Sequence, residues 1–141
     1  MNALEFRVML VVADLPATLH FYETLLGLRR VMAWEAGKGP AGAILSLGPG
    51  RSLEVRGPKP GGAAGAGEGL ASGNIMLGVA VADAQATHDA LAAAGVAIAR
   101  QLKDNPWGDR SFAVIDPNGV RVWVYQITDA DLARDLALEG A

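Results

Sequence analysis

Val12-Ala13-Asp14-Leu15-Pro16-Ala17-Thr18 returns 69 residues later as Val81-Ala82-Asp83-Ala84-Gln85-Ala86-Thr87. Each copy ends a run rich in branched apolar residues, Glu5 to Val12 and Asn74 to Val81, which reads as a strand. Each then presents an aspartate whose side chain can accept from the free N–H groups of a first helical turn. Pro16 suits that turn, because its missing N–H would have no helical partner there. Strand, sharp stop and helix therefore occur twice, and such a repeat decides the architecture before any single element does.

Working outward, both copies continue alike. Leu15, Leu19, Tyr22, Leu25 and Leu26 recur at helical spacing up to Gly27, a suitable C-terminal cap. Arg29–Glu35 is extended, and Ala43–Leu47 and Ser52–Arg56 read as strands joined by Gly48-Pro49-Gly50. In the second copy a helix runs from the Asp83 cap to Gly95, and Val96–Arg100 is extended. Arg110–Ile115 and Val120–Gln126 read as strands joined by the turn sequence Asp116-Pro117-Asn118-Gly119. Gly50 and Val55 of the first copy return as Gly119 and Val124. The expectation is one α+β domain of two βαβββ modules, residues 4–56 and 74–126. A Gly/Pro/Ala-rich connector at 57–73 joins them, and Thr128 caps a C-terminal helix at 128–139.

The chain has 141 residues, enough for one domain with a real core. Its formal charge is −3 with acids and bases mixed, which lacks the concentrated basic footprint of a nucleic-acid partner. No run approaches the roughly 20 apolar residues that span a bilayer, so no membrane partner is expected. Cysteine is absent, which excludes disulfides and thiolate chemistry. The N-terminal residues lack a basic segment followed by a long apolar run, and a cytoplasmic location is expected.

Val12-Ala13-Asp14-Leu15, Phe21-Tyr22-Glu23-Thr24-Leu25-Leu26-Gly27-Leu28, Pro106-Trp107-Gly108-Asp109-Arg110 and Asp116-Pro117-Asn118-Gly119 carry a family resemblance. The chain resembles the vicinal oxygen chelate superfamily, which groups glyoxalase I, extradiol dioxygenases and bleomycin-resistance proteins. The resemblance runs from about Leu4 to Gln126. It implies a glyoxalase/bleomycin-resistance-like fold whose curved sheets enclose a cavity, within one chain or across a dimer, and it implies a homodimer.

Metal-using members of that superfamily place one ligand on each of four strands, usually His, Glu or Gln. Aligned on the shared motifs, those positions fall on Arg7, Glu54, Met76 and Trp123, and the repeat pairs Arg7 with Met76 and Glu54 with Trp123. Only Glu54 suits a divalent ion. Arg and Trp offer no acceptor lone pair, and a thioether is too soft for an oxygen and nitrogen site. His20 and His88 fall in the helical segments and read as helix-surface residues. No metal and no cofactor are therefore expected. Instead, Arg7 and Glu54 are expected to pair across neighbouring strands, since a buried lone carboxylate is costly.

Strand alternation gives a candidate ligand face of Arg7, Met9, Glu54, Met76, Arg121, Trp123 and Tyr125, with Ser52, Arg56 and Gly78 beside them. Trp34 and Trp107 fall at its rim. Aromatic platforms, a flexible thioether and a few polar groups make up a small-molecule pocket. The expected function is metal-independent binding of a small aromatic or antibiotic-like molecule. The alternative is a lyase, isomerase or dioxygenase of the same superfamily, either metal-dependent or using Glu54 as general base.

Overall fold

The computed structural model describes residues 2–37, 39–58 and 70–137. The chain divides into two compact units, Met1–Ala71 and Ser72–Ala141. The first contains β1 (Phe6–Val11), α1 (Leu15–Leu19), β2 (Arg29–Ala36), β3 (Gly39–Ser46) and β4 (Arg51–Arg56). The second contains β5 (Met76–Ala80), α2 (Ala84–Ala93), β6 (Ile98–Asn105), β7 (Asp109–Ile115), β8 (Arg121–Ile127) and α3 (Ala130–Asp135), and a short 3₁₀ turn (Leu70–Ser72) falls at the boundary between the units in sequence. Each unit is a four-stranded mixed sheet, ordered β1-β4-β3-β2 and β5-β8-β7-β6. The architecture is α+β and matches the glyoxalase/bleomycin-resistance-like fold.

The repeat extends to hydrogen-bond register. Arg7 lies opposite Ser52 in the parallel β1–β4 pair, and Met76 lies opposite Arg121 in β5–β8. Ile44 faces Glu54 just as Ala113 faces Trp123. Register fixes which side chains share a face, so it also fixes the chemistry of that face. In each unit one face is closed by the helix. Leu10, Val12, Leu45, Leu53 and Val55 are buried beneath Leu15, Leu19, Phe21 and Tyr22. In the second unit Phe112, Val114, Val122 and Val124 are buried with Leu91 of α2. Full burial of such side chains contributes about 1.5–3 kcal/mol each, so the helix-covered face holds the core and leaves the other face for polar residues. Phe6 belongs by alternation with Leu10 and Val12, yet at the first residue of an edge strand it is exposed.

Asp14 and Asp83 cap as expected, accepting from the N–H of Ala17 and Ala86 at 2.9 Å. The two helices then differ. α1 continues as a π-helical segment, His20–Leu25, and the Leu26 N–H reaches the Phe21 carbonyl five residues back at 3.0 Å. The aspartate caps are 69 residues apart, but the left-handed glycines that end the helices, Gly27 and Gly95, are 68 apart. The π segment absorbs one extra residue, and a shorter link to β2 restores the offset.

Several boundaries differ from the sequence reading. β3 starts at Gly39 and β6 runs on to Asn105, because ladder pairing with β2 and β7 carries polar and glycine residues that apolar patterning does not mark. Asp129, not Thr128, caps α3. Its Oδ1 accepts from the Leu132 N–H at 2.8 Å, while the Thr128 N–H is engaged with the Gly108 carbonyl. Residues 59–69 of the expected connector and 138–139 of the expected C-terminal helix lie outside the described residues. Among the described residues no helix is long and apolar enough to cross a membrane.

Candidate functional site

The open face of the first unit is organised around Glu54, which is 5% exposed. β4 alternation turns Ser52, Glu54 and Arg56 to one side, and parallel pairing sets Arg7 and Met9 of β1 beside them. Arg7 Nη1 donates to Glu54 Oε2 at 3.1 Å. Arg56 Nε lies 3.3 Å from Glu54 Oε1. Arg7 and Glu54 therefore pair, and Arg56 completes a clamp in which each carboxylate oxygen faces its own guanidinium. Arg7 also donates to Ser52 Oγ at 3.1 Å and to both Glu5 oxygens, and the Ser52 hydroxyl donates to Glu5. The Ser52 hydroxyl, followed by Arg7, holds the Glu5 carboxyl below the usual carboxylate range. Glu5 and then Glu54 raise the Arg7 guanidinium above its ordinary value.

Trp34 extends this face. The Arg56 guanidinium lies over its ring at 5.7 Å. Gly42 sits opposite Trp34 on one side and Arg56 on the other. A Cβ on Gly42 would lie 2.3 Å from Trp34 Cζ2, so only glycine lets the indole lie across β3. Met9 is 54% exposed at the edge of the cluster.

The open face of the second unit is built differently. Trp123, at the position matching Glu54, is half-buried, and the Arg100 guanidinium lies over its ring at 4.5 Å. Arg100 donates from Nη1 to Ser111 Oγ at 3.2 Å and from Nη2 to Asn105 Oδ1 at 2.9 Å. Asn105 Nδ2 in turn donates to Asp109 Oδ1 at 2.7 Å and to Ser111 Oγ at 2.8 Å. Trp107 Nε1 donates to the second Asp109 oxygen at 2.9 Å. Guanidinium only donates and carboxylate only accepts, so the amide between them has one consistent orientation. Trp107 is 58% exposed, yet its indole is anchored to a buried carboxylate.

The remaining predicted residues flank this network. Met76 is 59% exposed opposite Arg121. Tyr125 lies over Gly78, whose Cβ, if present, would be 3.3 Å from Tyr125 Cε1. Arg121 is half-buried and makes no side-chain ion pair or hydrogen bond among the described residues. The structure thus brings Arg7, Met9 and Glu54 together on one face, and Met76, Arg121, Trp123 and Tyr125 together on the other. The Arg100 guanidinium covers one face of the Trp123 ring. His20 is exposed on the helix, and His88 is half-buried there with Nδ1 3.0 Å from Asp89 Oδ1. The His88 ring packs edge-on to Phe112 at 5.2 Å with Nε2 buried. Sequence reasoning missed Gly42, Arg100, Asn105 and Ser111, and it noted Asp109 only as part of a motif.

The donor set does not fit a metal. Glu54 has both oxygens directed at arginines, Arg7 and Trp123 have no lone pair to give, and Met76 is a soft ligand. Among the described residues no group of three His, Cys, Asp or Glu side chains converges.

The sequence pattern described as Glyoxalase/Bleomycin resistance protein/Dioxygenase superfamily matches residues 6–124, most of the chain. The chain belongs to that superfamily. Among solved structures, TnmS3, an antibiotic binding protein from Streptomyces sp. CB03234, is 21% identical with a TM-score of 0.65, over 87% of this chain and 94% of that one. TioX from Micromonospora sp. ML1 is 25% identical with a TM-score of 0.65, over 87% and 98%. A glyoxalase/bleomycin resistance protein/dioxygenase superfamily member from Sphaerobacter thermophilus DSM 20745 is 17% identical with a TM-score of 0.64, over 89% and 98%. No curated protein sequence matches the chain.

Proposed function

We propose that this chain is a metal-independent binding protein for a small aromatic, antibiotic-like molecule, held on the polar-aromatic open faces of its sheets. The observation that carries the reading is the clamp on Glu54. The one side chain suited to a divalent ion has its oxygens turned to Arg7 and Arg56. The same geometry disfavours Glu54 as a general base, since proton transfer to it would have to displace a charge-assisted contact. Half-buried Trp123, anchored Trp107 and exposed Met76 supply the aromatic and adaptable surface that planar ligands use. The likeness to an antibiotic binding protein supports the ligand class. A homodimer, which rests on the family resemblance, and a cytoplasmic location, expected from the sequence, belong to the same proposal.

A thermal-shift screen with aromatic antibiotics, aromatic acids and divalent metals tests it. Aromatic compounds raise the melting temperature and metals do not. A metal-induced shift comparable to that of the best organic ligand would overturn the proposal.

A further inference from the structure

The two open faces treat their arginines differently. In the first unit Arg7 and Arg56 both meet the Glu54 carboxylate. In the second, Arg100 has no carboxylate within ion-pair distance among the described residues. Its two hydrogen-bond acceptors, Ser111 Oγ and Asn105 Oδ1, are neutral. The buried carboxylate closest in the network, Asp109, is occupied by Asn105 and Trp107 and reaches Arg100 only through the amide.

A guanidinium has five N–H donors in a fixed plane. Here two are used, and they fix the plane against the Trp123 ring. A half-buried cation balanced only by a π face and two neutral oxygens is incompletely compensated, and a flat, oriented guanidinium is the group best matched to a planar oxyanion. Arg121, two residues along β8 from Trp123, adds a second half-buried cation with no side-chain partner on the same face. The exposed Trp107 indole, held by Asp109, supplies apolar surface close to this charge.

We infer that Arg100 is the anion-recognising residue of the binding site, and that the ligand is a planar aromatic molecule bearing a carboxylate or comparable anionic oxygen group. The anionic oxygens take the unused N–H donors of Arg100 in the plane of the guanidinium, and the ring packs against the neighbouring apolar surface that Trp107 supplies. The Asp109–Asn105–Ser111 network positions Arg100 and is not itself the receptor. This inference rests on the small-molecule binding reading above and narrows it.

Calorimetric titration with 2-naphthoate and its neutral isostere 2-naphthamide tests the assignment. The native protein binds naphthoate at least about tenfold more tightly, equivalent to about 1.4 kcal/mol. Arg100→Gln removes that preference, bringing naphthoate affinity down to that of naphthamide. Arg100→Lys, which keeps the charge but loses the planar fork, retains part of the preference and serves where the glutamine variant does not fold. Equal affinity for the two probes in the native protein overturns the anion assignment while leaving aromatic binding intact. A preference that persists undiminished in both variants overturns the role of Arg100. Failure of both probes to bind overturns the small-molecule reading and this inference with it.

Discussion

Replacing Gly42 with alanine tests the geometry of the first face at one atom. The new methyl group would lie 2.3 Å from Trp34 Cζ2, 2.7 Å from Cη2 and 2.8 Å from the Val55 carbonyl oxygen. The indole can swing outward, but the carbonyl belongs to the β3–β4 ladder and cannot yield cheaply. Overpacking of this kind costs about 1–3 kcal/mol. Unfolding entropy of about 2.1 cal/mol/K per residue gives roughly 0.3 kcal/mol/K for this chain, so the melting temperature falls by roughly 3–10 °C. Differential scanning calorimetry measures it. Gly57→Ala is the matched control, because a Cβ there meets only the Ala41 carbonyl oxygen, at 3.8 Å, and its effect stays within about 0.5 kcal/mol. In a Trp34→Leu background the Gly42→Ala loss shrinks to the carbonyl contribution. An unchanged melting temperature for Gly42→Ala, or an identical loss with and without the indole, refutes the placement of Trp34 across β3.

Acid denaturation reports the Glu5 contact. A carboxyl held below its unfolded value, about 4.3, stabilises the fold fully above that pH, and the contribution fades as pH falls through the folded value. Glu5→Gln therefore loses stability at neutral pH and shows a shallower decline below about pH 4.3. Urea melts with parallel pH slopes for the two proteins would contradict the Ser52 and Arg7 contacts. Trp107→Phe strips one oxygen of buried Asp109 of its indole donor and costs about 1–3 kcal/mol by denaturant midpoint. A midpoint equal to that of the native protein shows that this bond does not hold the turn.

Much of the architecture is written locally. Asp14 and Asp83 announce their helices, Asp116-Pro117-Asn118-Gly119 announces its hairpin, and the offset between them places Arg7, Glu54, Met76 and Trp123 on equivalent strand positions. Pairing of Arg7 with Glu54 is expected from alternation together with the cost of a lone buried carboxylate, and the parallel β1–β4 register brings the two together. The second network is different in kind. Arg100 and Asn105 are separated by an odd number of residues, so strict alternation assigns them to opposite faces. Irregular pairing of β6 with β7, between Ile98 and Arg100 and between Arg100 and Lys103, lets both side chains meet Ser111. Such bulges are set by tertiary pairing and leave no mark in residue type. The role of Gly42 was hidden for a related reason. It depends on the ring opposite it across β2 and β3, and not on any turn that its own neighbours specify. Helical position alone likewise does not reveal that Phe112 packs edge-on against the His88 ring.

On this reading, ligand binding on the open faces needs no metal ion. The most direct test is calorimetric titration of one aromatic ligand against protein dialysed with EDTA, and against the same protein supplemented with stoichiometric zinc, manganese or iron(II). The expected result is the same dissociation constant in every sample, with no ion retained at stoichiometric level after gel filtration. Binding that disappears with EDTA and returns with one of these ions would contradict it.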